Sequence, residues 1–232
     1  MRLCAITDRR RLAEWEGAGP AAANRLLCSL AKRWSCGGVE TIQLREKDLD
    51  ARELAALARS MLAAIAEGRS KLLINMASPA ALEVALEMDA GGVHFPGRPA
   101  ARAVEGVRRA FARAGRQAIV SMACHAVGEV AAARSLGADF VLFSPIFSKD
   151  AAKGEARRPP QGLDALRRAC VAAEGMPVFA LGGIAPGNAA DCLAAGAAGV
   201  AGIRLFLESS AGDGLPSGPE GGWRLLRAGN HL

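Results

Sequence analysis

Residues 117–143 read QAIVSMACHAVGEVAAARSLGADFVLF, and this stretch decides the fold. QAIVSM (117–122) and DFVLF (139–143) are short apolar runs of strand length. Between them GEVAAARSLG (128–137) carries the Ala/Leu-rich spacing of a helix and stops on Gly137, the residue type that most easily closes one. Neither run alternates polar with apolar residues, as expected when helices cover both faces of a parallel sheet. The unit is strand, helix, strand.

The same unit recurs in both directions. Further strands are predicted at LCAIT (3–7), VETIQL (39–44), KLLIN (71–75), GGVHF (91–95), PVFAL (177–181) and GVAGI (199–203). ARELAALARSMLAAIAEG (51–68) and SPAALEVALEM (78–88) read as intervening helices. Eight strand–helix units in 232 residues fit a single-domain (β/α)8 TIM barrel, a fold of about 250 residues. A doubly wound open sheet is the rival.

The strand tips favour the barrel. In order they carry Thr7 and Asp8; Arg45, Glu46 and Lys47; Asn75; His94; His125; Ser144; Gly182 and Gly183; and Arg204. Polar residues or glycines at all eight carboxyl ends imply one ring of functional loops on one face. The barrel is expected to span 1–208. Residues 209–232 form a tail, Gly/Pro/Ser-rich at first and ending in a short helix over WRLLRAG. RRRLAEWEGAGP (9–20) and SKDAAKGEARRPPQG (148–162) are expected as long loops on the active face.

Composition narrows the function. Hydrophobic residues at 51% and charged residues at 22% describe a folded, soluble chain. No apolar run is long enough to span a bilayer, and MRLCAITDRR is too short and too charged for a signal peptide, so a cytoplasmic protein is expected. Six scattered cysteines lack zinc spacing and read as reduced thiols. A net charge of +6 with no tyrosine and 4% aromatics argues against base stacking and nucleic acid, and for a small phosphorylated ligand.

Three clusters carry the chemistry. ALGGIAPGNAADCL (180–193) places Gly182 and Gly183 at the seventh tip, where barrels often bind phosphate through main-chain N–H groups, with Ile203 and Arg204 supplying the other half. A tight turn needing positive φ explains the same glycines. QLREKDL (43–49) spaces Gln43, Arg45 and Lys47 by two, so alternation puts all three on one face, suited to an anion. Ordinary ion pairs at a solvated strand end are the other reading. His125, just past the fifth strand, is the proton-transfer candidate, imidazole being the side chain that titrates nearest neutrality. His94 reads as a core or supporting residue and His231 as tail.

In their order along 3–207, CAITD, TIQLREKDL, LLIN, GGVHF, ACHAVGEVAAARSLGADFVLFSPIF, PQGLDALR, PVFALGGIAPGN and GAAGVAGI resemble the thiamine phosphate synthase/TenI superfamily. The resemblance implies the same barrel. It implies a synthase joining a pyrimidine pyrophosphate to a thiazole phosphate with Mg²⁺ on the pyrophosphate, or a TenI-like tautomerase that aromatises a thiazole carboxylate phosphate. Gln43, Arg45 and Lys47 then match pyrimidine and pyrophosphate contacts, and Lys153 matches a lysine of the loop after strand 6. Gly162, Gly182, Gly183, Ile203 and Arg204 match the thiazole-phosphate cradle, with Arg204 where a serine is frequent. His125 matches the tautomerase's proton-transfer histidine.

The departures lie at strands 3 to 5. Synthases resemble N-D-R after strand 3 and H-L-G-Q-x-D after strand 4, the aspartates holding the metal. Here the tips read Asn75, Met76, Ala77 and His94, Phe95, Pro96, Gly97, Arg98, Pro99, Ala100, and Ala123 stands for a serine. Mg²⁺ wants hard oxygen ligands, and a methionine sulfur is no substitute. Arg98 is expected to add positive charge where the cation would sit. The preferred expectation is therefore a metal-independent, TenI-like tautomerase using His125, with Asn75 a neutral hydrogen-bonding group at the mouth and no resident cofactor. The alternatives are a synthase whose Mg²⁺ is held by Asp8, Glu46, Asp150 or a water shell, and a non-catalytic phosphate-binding barrel. The expected partner is a thiazole phosphate, joined in the synthase reading by a pyrimidine pyrophosphate. No nucleic-acid or membrane partner is expected, and a homo-oligomer is compatible.

Overall fold

The computed structural model describes residues 1–78, 80–148 and 159–207. Its strands are β1 (Arg2–Ile6), β2 (Thr41–Leu44), β3 (Lys71–Asn75), β4 (Gly92–Phe95), β5 (Ile119–Cys124), β6 (Phe140–Phe143), β7 (Val178–Leu181) and β8 (Gly199–Gly202). They pair in parallel in chain order, and β8 closes on β1, so the sheet is a closed barrel. Each predicted strand lies within two residues of the observed one.

Both faces of each strand are apolar, for different reasons. Alternate residues point inward, where Cys4, Ile6, Leu73, Phe140, Leu142, Phe179 and Ala201 fill the barrel and the Phe140 and Phe179 rings sit 5.0 Å apart. The other set packs outward against the helices in the larger core. Helix-to-strand packing is dense enough that Trp34, Phe111 and Phe206 are fully buried, each burial stabilising by about 1.5–3 kcal/mol.

The helices are α1 (Arg9–Glu16), α2 (Pro20–Cys36), α3 (Ala51–Ile65), α4 (Ala81–Glu87), α5 (Ala101–Arg113), α6 (Val127–Ser135), α7 (Gly162–Ala172), α8 (Ala189–Ala194) and α9 (Arg204–Leu207). Gly137 follows α6 with φ +78, as its helix-stopping role predicts. None of the described helices is long and apolar enough to cross a membrane.

Residues 9–20 depart from the expected loop. Most of them form α1, and Pro20 opens α2. The caps decide this. Asp8 accepts the Arg11 N–H at 3.1 Å, and Gly17 ends α1 in the left-handed region at φ 58. Only Arg9 and Leu12 of α1 are buried, so the stretch has almost no apolar stripe to read. Lys153, Asp150, the tail 209–232 with His231, and most of the second expected loop lie outside the described residues.

Candidate functional site

The carboxyl ends of the strands gather two groups of residues and one histidine between them. Gln43 points into the barrel from β2, opposite Ile6 in register, and is 2% exposed. Its Oε1 has no hydrogen-bond partner among the described residues. A buried, unpaired oxygen of this kind costs about 1–3 kcal/mol, so a ligand donor there has something to gain. Two residues on, the half-buried Arg45 reaches the same region electrostatically. Burial, reinforced by the Arg45 charge, pulls His94 down to about 3. His94 is therefore a neutral imidazole, with its Nδ1 2.9 Å from the Ser121 Oγ.

Asn75 is buried at the tip of β3 and pairs in register with His94. Lys47 differs from its expected placement. β2 ends at Leu44, and Lys47 sits exposed in the turn that follows. Strand alternation thus orients Gln43 but does not extend to Lys47, which belongs to the mouth as a loop residue.

Across the ring, the tips of β6, β7 and β8 present main chain. Gly182 and Gly183 have φ +95 and +68, a region that only glycine enters freely. A Cβ on Gly183 would lie 2.7 Å from both the Phe147 Cβ and the Ser148 carbonyl oxygen, so the two loops touch through bare backbone. Phe147 N–H donates to the Gly182 oxygen at 3.0 Å. Asn188 locks the turn from the other side: its Nδ2 donates to the Gly183 oxygen and its Oδ1 accepts the Ala185 N–H, both at 2.9 Å. Gly162 opens α7 with its N–H on the Ile146 oxygen, and Ile203 and Arg204 lie where β8 passes into α9. The five expected cradle residues therefore come from three consecutive units of the ring.

His125 follows directly after β5. Its Nδ1 lies 2.8 Å from the Ser144 carbonyl oxygen, which can only accept, so Nδ1 is the donor and, in the neutral imidazole, Nε2 is the nitrogen with the lone pair. The Ser144 hydroxyl is 3.3 Å from the same nitrogen. Glu129 accepts the His125 N–H at 2.5 Å, and the Gln161 side chain donates to the His125 oxygen. Sequence reasoning missed these three supports. Glu129 had a signal, an acid in the first turn of α6, and Ser144 was legible only as a polar strand tip; the Gln161 contact ends on a main-chain oxygen and leaves none.

The remaining reactive types are quiet. All six cysteines are free thiols. Burial pushes Cys124, beside His125, up to about 12, and Cys36 is exposed.

The Mg²⁺ that the resemblance brings with it does not fit the described residues of the mouth. The β3 and β4 tips offer the Asn75 amide, the Met76 thioether and Pro96, but no carboxylate. Asp8 caps α1, Asp48 pairs with Arg9 at 2.6 Å, and Glu46 is buried against the Arg9 N–H. No three metal-capable side chains gather among the described residues. Nor does Arg98 stand in for the cation. It lines a small depression with Met122, Cys124 and Glu129, on the flank between β5 and α6, because those β5 side chains face outward.

The comparisons with known proteins agree with this geometry. Residues 16–206 match the family model described as thiamine monophosphate synthase. A Geobacter sulfurreducens protein that carries the provisional name thiamine-phosphate synthase is 40% identical over 206 residues, covering 87% of this chain and 84% of that one. The thiamine-phosphate synthase of a Roseiflexus species is 34% identical over 223 residues, covering 96% and 82%. Among solved structures, the thiamine phosphate pyrophosphorylase from Pyrococcus furiosus superposes with a TM-score of 0.66 at 26% identity, covering 89% of this chain and 87% of that one. A 3-hexulose-6-phosphate synthase, at 18% identity and TM-score 0.62, shares the fold alone. With its barrel and most of its length matched, the chain belongs to the thiamine monophosphate synthase family.

Proposed function

We propose that the chain forms thiamine phosphate, joining a pyrimidine carried as its diphosphate to a thiazole phosphate. One observation carries the reading: the buried Oε1 of Gln43 inside the mouth, without a hydrogen-bond partner among the described residues and two residues before Arg45. A neutral heteroaromatic ring that bears donors and a diphosphate suits that pair of groups. The names of the relatives support the same reaction over tautomerisation.

In this reading the thiazole phosphate is anchored at Gly182, Gly183, Ile203 and Arg204, with Gly162, whose N–H is taken by the Ile146 oxygen, lining the cradle, and the pyrimidine ring is held at Gln43 and Asn75. Joining them forms one C–N bond at the thiazole nitrogen and breaks the C–O bond to diphosphate, which leaves with the electron pair. Arg45 and Lys47 meet the charge that grows on the departing diphosphate, and Lys153 belongs to the same group by resemblance. Anchoring at both ends brings the reacting atoms together at little further entropic cost.

A second reading rests on His125, whose Nε2 lone pair is left available by the Ser144 contact. There His125 shifts a proton on a thiazole carboxylate phosphate, as the TenI-like members do. Incubating the folded chain with both precursors separates the two. Thiamine phosphate in the product supports the synthase; none, together with aromatisation of the carboxythiazole phosphate that is lost in His125→Ala, supports the tautomerase.

A further inference from the structure

A buried polar network joins the tips of β1 and β2, and none of its bonds enters the reading above. Glu46, with its side chain 2% exposed, accepts the Arg9 N–H on both carboxylate oxygens, at 3.2 and 3.1 Å. Thr7 is fully buried, and its Oγ1 accepts the Arg45 N–H at 2.9 Å. Arg9 continues the chain, with Nη2 on the Asp48 Oδ2 at 2.6 Å and Nε 3.9 Å from Glu46.

The arrangement runs against the ordinary preference of a core. A buried carboxylate is costly, and well-packed apolar side chains commonly serve stability as well or better. Burial does push Glu46 up to about 7, with Asp8 adding to the rise and Thr7, the Arg9 N–H and the Arg9 charge opposing it. What a carboxylate provides is acceptor capacity for two loops at once. The segment so fastened carries the cations of the mouth: the Arg45 N–H is held by Thr7, and Lys47 lies between Glu46 and Asp48, both tied to Arg9.

We propose that Thr7, Glu46 and Arg9 are positioning residues that fix the β2 tip so that Arg45 and Lys47 meet a diphosphate in one geometry. The inference rests on the proposed function, since it takes the anion bound there to be a diphosphate. It adds that the grip is set from β1, by groups that never touch the ligand.

The test is calorimetry of inorganic pyrophosphate on the full chain, comparing the parent with Thr7→Val, Thr7→Ser and Glu46→Gln. Loss of the hydroxyl link in Thr7→Val is expected to weaken binding about tenfold, and Glu46→Gln similarly, while Thr7→Ser restores affinity to within about twofold of the parent. Hydrogen exchange at the Arg45 amide gives a second readout that needs no ligand: slow in the parent and Thr7→Ser, fast in Thr7→Val. Equal pyrophosphate affinity in the parent and all three variants overturns the positioning role and leaves the proposed function standing. Equal losses of affinity in Thr7→Val and Thr7→Ser overturn it too, since the hydroxyl would then be irrelevant. A parent that does not bind pyrophosphate, with the Arg45 amide still protected through Thr7, strikes the proposed function and with it the diphosphate claim. Should Thr7→Val not fold, Glu46→Gln with parental affinity is the overturning result.

Discussion

In the proposed reading, an anion is met on the β6–β8 side of the mouth by main chain at Gly182, Gly183 and Ile203, and on the β1–β3 side by side chains, Gln43, Arg45 and Lys47. The difference explains where this chain has stayed close to the family pattern and where it has moved. A backbone cradle is indifferent to the side chains it carries, so Arg204 can stand where serine is frequent. It is sensitive only to the positive φ and bare contact that let two loops meet at Gly183. The side-chain half has no such tolerance. Each substitution changes what it can hold, and Met76 and Pro99 stand where the family pattern carries the aspartates of two adjacent tips.

The sharpest way to break that contrast is at Gly183. Gly183→Ala adds a Cβ 2.7 Å from a carbonyl oxygen at φ +68, strain of about 1–3 kcal/mol before any overlap. Thiazole-phosphate affinity should fall more than about a hundredfold by calorimetry, with pyrophosphate affinity little affected. Arg45→Gln should do the reverse. Losing charge-assisted bonds worth about 1.5–3 kcal/mol weakens pyrophosphate roughly ten- to a hundredfold and spares the thiazole phosphate. If both variants weaken both ligands alike, the mouth is one site and the division fails.

A third prediction concerns stability on the side-chain half alone. Burial, with a smaller contribution from the Asp8 charge, pushes Glu46 up to about 7 from its ordinary 4.5, against the Arg9 N–H and the Arg9 charge. A carboxyl raised in this direction contributes stability that is full below pH 4.5 and lost as pH rises through 7. The loss is on the order of 3 kcal/mol at 1.36 kcal/mol per unit. Urea unfolding from pH 4.5 to 8 should show that decline in the parent relative to Glu46→Gln; parallel curves would contradict it. The smallest effect is expected for Arg204→Ser, no more than about threefold on thiazole-phosphate affinity, because main chain supplies that half of the cradle.

Much of this was legible in the sequence, for identifiable reasons. Strands buried on both faces leave continuous apolar runs such as KLLIN, and β3 occupies the predicted residues 71–75. Gly182–Gly183 could be read because positive φ selects one residue type. The helix at 9–16 could not be read by hydropathy, since its caps rather than an apolar stripe hold it. Gln43 was chosen for its spacing, but that its oxygen is buried and unpaired depends on where neighbouring strands close around it. The Thr7–Glu46–Arg9 network was invisible for the same reason: its partners are 37 to 39 residues apart, and three of its hydrogen bonds come from the main-chain N–H groups of Arg9 and Arg45.

The central claim meets its most direct test in one assay, thiamine phosphate formation by the folded chain from pyrimidine diphosphate and thiazole phosphate, run with Mg²⁺ and again after chelation. The account predicts product in both conditions, since Arg45 and Lys47 rather than a chain-bound metal meet the diphosphate. Product only with Mg²⁺ contradicts that grip, and no product in either condition contradicts the proposed reaction itself.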